Sequence, residues 1–254
     1  MSKKVCVVTG SSSGIGAATA RLYASHGWNV VINYSRDPGP AEAVAAQCEA
    51  LGSEVLVVKA DVSQDADCRR LAAEAEKRFG RVDVLVNNAG TTKFVDMKNL
   101  DGLEAEDFQK IYSVNVIGAY QMTRALAPLL SKHVGSGVVN VSSVASIMGR
   151  GSSLAYMASK GALNALTVGL ARSLAPNVRV NAIAPGLVET PWLQEGLGAD
   201  AYQRGVDWYK GRAALEAVIT PEDVAETAWY LGASAAKTTG EVMLVDAGLR
   251  ITKV

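Results

Sequence analysis

Val5-Cys6-Val7-Val8-Thr9-Gly10-Ser11-Ser12-Ser13-Gly14-Ile15-Gly16 is the stretch on which the fold turns. Its short apolar, β-branched run reads as a strand buried on both faces, the mark of a parallel sheet covered by helices on either side. The glycine-rich turn leads at once into a helical pattern from Ala17 onward. Glycines permit a tight turn and let backbone N–H groups approach a pyrophosphate, which the positive end of the next helix also attracts. A dinucleotide fits this arrangement, with Gly10, Ser12, Ser13, Gly14, Ile15 and Gly16 as candidate contacts. The spacing is Gly-x-x-x-Gly-x-Gly, a weak signal alone that becomes informative with a strand before it and a helix after it.

Working outward, the same alternation continues to the end of the chain. Strand-like runs lie at Val5 to Val8, Asn29 to Asn33, Glu54 to Lys59, Val82 to Val86, Gly137 to Val141, Val178 to Ala182 and Val242 to Val245. Helical patterns lie between them, near 15–26, 40–51, 64–79, 104–132, 154–175 and 221–232. The alternation predicts an α/β, doubly wound Rossmann fold, one domain over 1–254 with a seven-stranded parallel sheet. At 254 residues and 49% hydrophobic content, one large core is attainable. Thr190 to Thr220 breaks the rhythm: it has aromatics and glycines but no strand, and reads as an insertion over the sheet's carboxyl edge.

Formal net charge is zero, so no basic field exists to attract nucleic acid or an anionic membrane. Cys6, Cys48 and Cys68 are odd in number and fall inside strand or helix patterns, as expected of reduced, buried thiols in a cytosolic protein with no metal site. Met1-Ser2-Lys3-Lys4 passes into an apolar run ending at Thr9, too brief for a signal or membrane-spanning segment. A cytoplasmic location is expected.

The second strand runs out through Asn33-Tyr34-Ser35-Arg36-Asp37. An acid at that strand end accepts the 2′-hydroxyl of NAD, whereas a basic residue accommodates the phosphate of NADP. Tyr34 replaces the acid, and Ser35 and Arg36 can both donate to a phosphate, which favours NADP(H). NAD(H) remains possible, because Asp37 is adjacent and Ser13 supplies no cation in the glycine loop.

A second constellation lies at Ser143 to Lys160, a strand end, a Gly/Ser-rich connection and a helix start. Tyr156 and Lys160 are four apart on that helix and so share a face. A phenol has a pKa of about 10, and bringing it near 7 for acid–base work requires about 4 kcal/mol. A lysine cation about 4 Å away at an effective dielectric of about 20 supplies that much. A Tyr-x-x-x-Lys pair also arises by chance, so it needs companions.

With the glycine turn and this pair on one α/β chain, the sequence resembles the classical short-chain dehydrogenase/reductase family over essentially its whole length. Further motifs match in order: Asp61-Val62, Asn87-Asn88-Ala89-Gly90, Asn115 within Val114-Asn115-Val116, and Pro185-Gly186 with Val188 and Thr190 beyond. The resemblance implies that Tyr156 donates a proton to a carbonyl oxygen in reduction and accepts one in alcohol oxidation. It implies that Lys160 lowers the Tyr156 pKa and bonds the nicotinamide ribose, that Ser143 rather than Ser142 steadies the substrate oxygen, and that Asn115 holds a water linking Lys160 to solvent. Asp61, Val62, Asn88, Ala89, Gly90, Pro185, Gly186, Val188 and Thr190 would contact the cofactor. Bland roles compete for some of these: Asp61 as a helix cap, Asn87 as a structural amide, Asn115 as support for a helix kink.

The segment from Pro191 to Val218 should form the substrate wall, where Trp192, Leu193, Trp208 and Tyr209 either line a pocket for an apolar or ring substrate or pack a lid onto its base. Asp246-Ala247-Gly248 departs from the double glycine of many relatives. Small residues at Ala158, Gly161, Ala162, Ala165 and Gly169 suit a close helix contact, and the resemblance implies a homotetramer. The function expected is an NADPH-dependent carbonyl reductase on a small-molecule carbonyl or alcohol. A carrier-protein-linked 3-oxoacyl reductase is one version, with Lys132-His133 as thin support for carrier docking. A sugar, polyol or other small-alcohol dehydrogenase using NAD and a non-catalytic nucleotide sensor are the alternatives.

Overall fold

A computed structural model describes residues 3–251; Met1 and Ser2, the head of the N-terminal run considered above, lie outside the described residues. The first half of the chain forms β1 (Val5–Val8), α1 (Gly14–Ser25), β2 (Asn29–Tyr34), α2 (Pro38–Ala50), β3 (Val55–Lys59), α3 (Asp65–Phe79) and β4 (Val84–Asn87). The second half begins with α4 (Ala105–Tyr112), α5 (Ala119–Leu130), β5 (Ser136–Val141), the single turn α6 (Ala145–Met148) and α7 (Leu154–Leu174). It closes with β6 (Val178–Pro185), α8 (Pro191–Leu197), α9 (Ala199–Lys210), α10 (Pro221–Trp229) and β7 (Val242–Val245).

All seven strands are parallel in one sheet of order β3-β2-β1-β4-β5-β6-β7. The order reverses direction between β1 and β4, and it is there, beyond the strands' carboxyl ends, that such a sheet opens a crevice. Alternate residues of β1 feed two apolar layers. Cys6 and Val8 join Tyr23, Val30 and Leu231 on one face, while Val5 and Val7 join Leu71, Leu85, Met122 and Leu126 on the other. Burial pushes the free thiols of Cys48 and Cys68 up to about 11 and about 12 and raises that of Cys6 well above its ordinary value, so all three are held as unreactive thiols. No helix among the described residues is long and apolar enough to cross a membrane.

Three differences from the sequence expectation bear on the site. The helix expected over 104–132 is interrupted: α4 passes into wider π-helical turns at Ser113–Gly118 before α5 begins. Apolar residues continue across the interruption, so periodicity shows no break. Such turns insert an extra residue and re-aim side chains. Here Gly118 sits so close to Val62 that a Cβ would fall 2.8 Å from Val62 Cγ2, and Gln121 Nε2 donates to the Val62 carbonyl at 2.8 Å. β6 runs beyond Ala182 to Pro185, because it stays paired with β7 to that point. The segment after Thr190 contains two helices, α8 and α9, and returns to the body through a lone bridge between Val188 and Ile219.

Candidate active site

Gly10 and Gly14 have φ of +60° and +52°, the left-handed region that glycine enters without strain. A side chain on Gly10 would also press on Ala89, 2.9 Å from its Cα, and one on Gly16 would overlap the Gly10 carbonyl. Asn88 Nδ2 donates to the carbonyls of Thr9 and Gly10, 2.9 Å each, while Thr9 Oγ1 accepts the N–H groups of Asn88 and Ala89, 3.0 Å each. The turn is thus tied to the end of β4. Ser13 makes no side-chain cap on α1, so the first N–H groups of that helix remain available to an anion.

A cleft of about 1070 Å³ runs along the carboxyl ends of the strands. It is lined by Gly10, Ser12, Ser13, Gly14, Ile15, Tyr34, Ser35, Arg36, Asp61, Val62, Asn88, Ala89, Gly90, Ser143, Tyr156, Lys160, Pro185, Gly186, Val188 and Thr190. Every sequence-predicted contact is therefore on its wall except Gly16 and Asn115. Gly16 lies beneath the turn and serves packing, and Asn115 is buried behind the wall. Some lining residues have their side chains spent elsewhere. Asn88 holds the turn, and Asp61 Oδ1 accepts from Ser63 N at 3.0 Å and Ser63 Oγ at 2.8 Å. Asn87 is structural: its Nδ2 donates to Asn140 Oδ1 at 2.9 Å and Thr123 Oγ1 at 3.1 Å.

At the far end of the cleft the groups of α7 meet those of β5. Ser153 caps α7, its Oγ accepting from Tyr156 N at 3.2 Å, which puts Tyr156 in the first turn, where the helix dipole favours negative charge. Tyr156 is half-buried; Lys160, one turn on, is buried and donates from Nζ to the Val141 carbonyl at 2.7 Å. Ser143 lines the cleft, whereas Ser142 is buried with its hydroxyl on the Lys160 carbonyl at 3.3 Å. Asn115 is clamped from both sides: Nδ2 donates to Thr91 O and Ser159 Oγ, 3.0 Å each, and Oδ1 accepts from Thr91 N at 2.8 Å. Where Gly90 lacks a side chain, Asn115 Oδ1 and Lys160 Nζ face the gap, 3.6 and 3.7 Å from the position a Cβ would take.

A model of the family described as Enoyl-(Acyl carrier protein) reductase matches residues 10–250. The chain is 42% identical over 97% of its length to the "Granaticin polyketide synthase putative ketoacyl reductase 2" of Streptomyces violaceoruber, covering 96% of that protein. It is 34% identical to a 3-oxoacyl-[acyl-carrier-protein] reductase of Synechocystis, with 98% of each chain covered. The crystal structure of a "putative short-chain dehydrogenase/reductase" from Burkholderia xenovorans superposes with a TM-score of 0.91 at 43% identity, covering 99% of both chains. The chain belongs to the classical short-chain dehydrogenase/reductase family. It is an oxidoreductase acting on CH–OH or carbonyl groups, in a family that uses NAD(P)(H).

In this short-chain dehydrogenase/reductase the electrostatics of the reactive pair differ from the sequence expectation. Burial pushes the Tyr156 phenol up to about 12, with the Ser143 hydroxyl's hydrogen bond pulling the other way. Burial pushes Lys160 down to about 8. Burial, not the neighbouring lysine, dominates the phenol's shift, and Lys160 Nζ is spent on the Val141 carbonyl. The phenol therefore keeps its proton at neutral pH.

Sequence reasoning missed Thr9, Thr91 and Ser159, which position other groups, and Phe94, which faces the substrate end. None of these four carries a signal in the sequence, whereas Ser153, a serine placed before a helix start, does. The substrate wall divides. Trp192, Leu193, Trp208 and Tyr209 all line the cleft, but Tyr209 is otherwise buried, its hydroxyl donating to the Asp246 carbonyl at 2.7 Å and filling the space where Gly186 would carry a side chain.

Proposed function

We propose that this oxidoreductase is an NADP(H)-preferring reductase that turns a ketone or aldehyde into an alcohol, and runs in reverse as an alcohol dehydrogenase. Residues suited to the cofactor are present. The glycine turn offers its uncapped helix N-terminus to the pyrophosphate, and Ser35 and Arg36 reach the ribose end. Arg36 is exposed and makes no ion pair among the described residues, while Asp37 is occupied as the cap of α2, accepting from Gly39 N at 3.0 Å. That engages one of the two features that argued for NAD(H), the neighbouring acid; the other, a glycine loop without a cation, is unchanged.

NADPH bound in this cleft would supply a hydride to the carbonyl carbon. The chain's own groups handle the oxygen. Ser143 Oγ steadies it, and Tyr156 Oη delivers the proton that converts it to a hydroxyl. Lys160 supplies positive charge near the phenolate that remains, and a water over Gly90, between Lys160 Nζ and Asn115, would return the proton from solvent. The single observation carrying this reading is the convergence of the Tyr156 phenol, the Ser143 hydroxyl and the buried Lys160 ammonium in the same cleft as the glycine turn.

Two further expectations follow the same reading. Docking of an acidic carrier at Lys132 is disfavoured, because Lys132 Nζ is paired with Glu76 at 3.0 Å. A homotetramer is supported by α7, where the space beside Gly161 and Gly169 is open and Val168 is 42% exposed. The test is Tyr156→Phe. It should lower kcat/KM by about a thousandfold, or about 4 kcal/mol, while NADPH binding followed by fluorescence stays within a few-fold. Undiminished turnover would remove the acid–base assignment.

A further inference from the structure

We infer that the substrate of this site is a ketone in or beside an aromatic ring, seated against Trp192; this rests on the reductase reading above. Phe94, Trp192 and Tyr156 form a file of rings at the substrate end, with centroids 5.6 and 6.5 Å apart and planes inclined by 51° and 43°. Trp192 is 44% exposed and lines the cleft, so an apolar ring face borders the open space next to the phenol. Exposed aromatic surface of that kind is what a planar ligand covers.

The position of Trp192 is built. Thr190 caps α8, its Oγ1 accepting from Leu193 N at 3.4 Å, and Pro191 opens the helix. Trp192 and Gly196 are four apart and share a face. Gly196 leaves room for the Phe94 ring to lie against the helix backbone, where any side chain would overlap it. Phe94 thereby fixes the turn that presents Trp192.

The other aromatics of the wall are already engaged. Trp208 carries the guanidinium groups of Arg150 and Arg212 at 4.3 and 4.8 Å from its ring centre, and Tyr209 is buried. A sugar or polyol would need several free hydroxyls or amides at this end. Ser152 Oγ is instead bonded to Thr92 Oγ1 at 2.7 Å, and Met148, Leu193 and Leu197 are apolar.

The experiment compares 1-tetralone with its saturated counterpart 1-decalone and with glucose, using the NADPH-loaded protein for reduction and the NADP⁺-loaded protein for oxidation of the sugar. The expected kcat/KM for 1-tetralone exceeds that for 1-decalone by about tenfold, with glucose unused. Trp192→Ala should collapse that ratio by about tenfold through KM, and Trp192→Phe should restore most of it. The ratio, rather than either rate, is the readout, so a general loss of folded protein does not imitate the effect. Equal use of 1-decalone, use of glucose, or a ratio unmoved by Trp192→Ala would overturn the inference. Calorimetric binding of both ketones to the NADP⁺-loaded protein separates the two readings. Selective binding of 1-tetralone without turnover keeps the ring preference and sinks the reductase, whereas absence of binding and turnover sinks the ring preference.

Discussion

Lys160 Nζ donates to the carbonyl oxygen of Val141 at 2.7 Å, which anchors the ammonium to the end of β5 instead of to the phenol four residues before it. The anchoring fixes where the charge sits but not how strongly it is held. Burial brings its pKa down to about 8, within reach of ordinary buffers.

The depressed lysine has a stability signature. Between about 8 and the unfolded value of about 10.5 the unfolded chain binds a proton that the folded chain does not, so folding stability rises with pH across that window. The cost of holding the cation inside is present in full below it. Lys160→Met lacks this term, so its stability relative to wild type should be highest near neutrality and decline by up to about 3 kcal/mol as pH approaches 10. Urea denaturation of both proteins at several pH values checks this. A constant difference would show that Lys160 titrates normally. In the wild type, reductive kcat/KM should fall as pH rises through about 8, where the ammonium loses its proton.

Arg36 offers an unpaired cation at the ribose end of the cleft, with Asp37 kept away by its capping bond to Gly39. Arg36→Ala should weaken NADPH binding by about tenfold, about 1.4 kcal/mol, and leave NADH binding nearly unchanged. Parallel fluorescence titrations with the two cofactors read this out. Tighter binding of NADH than NADPH by the wild type would reject the preference.

Ala247 has φ of +49°, a conformation that costs a residue with a Cβ about 1 kcal/mol or more. Ala247→Gly should therefore raise stability by about 0.5–1 kcal/mol despite the greater freedom of glycine when unfolded. The shift in urea midpoint measures it, and a lower midpoint would mean that the methyl's packing outweighs the strain.

Periodicity and turn chemistry made the sheet legible before any coordinates. β1 and β7 end where their apolar runs end; β1 is buried on both faces and leaves no polar position within it, while β7, at the sheet's edge, is half-buried throughout. The interruption at Ser113–Gly118 was not legible. Its cause is tertiary, the fit of Gly118 against Val62, and neither residue signals the other in sequence. Of the candidate site, the glycine turn and Ser143, Tyr156 and Lys160 could be read from spacing. The distinction between Ser142 and Ser143 came from resemblance, and the carbonyl that holds Lys160 could not be read, because backbone acceptors leave no trace in residue identity. The direction of the Tyr156 shift is not legible in sequence either, because spacing reveals the neighbouring charge but not the removal of water that outweighs it.

The hydroxyl of Tyr209 beside Gly186 has a consequence for how this chain can diverge. It bolts α9 to the sheet's edge, whereas the preceding helical turn, α8, touches the rings of Phe94 and Tyr156 through Trp192. Replacement of that one turn is therefore the shortest route to a new clientele of substrates, with the proton-handling machinery inherited intact.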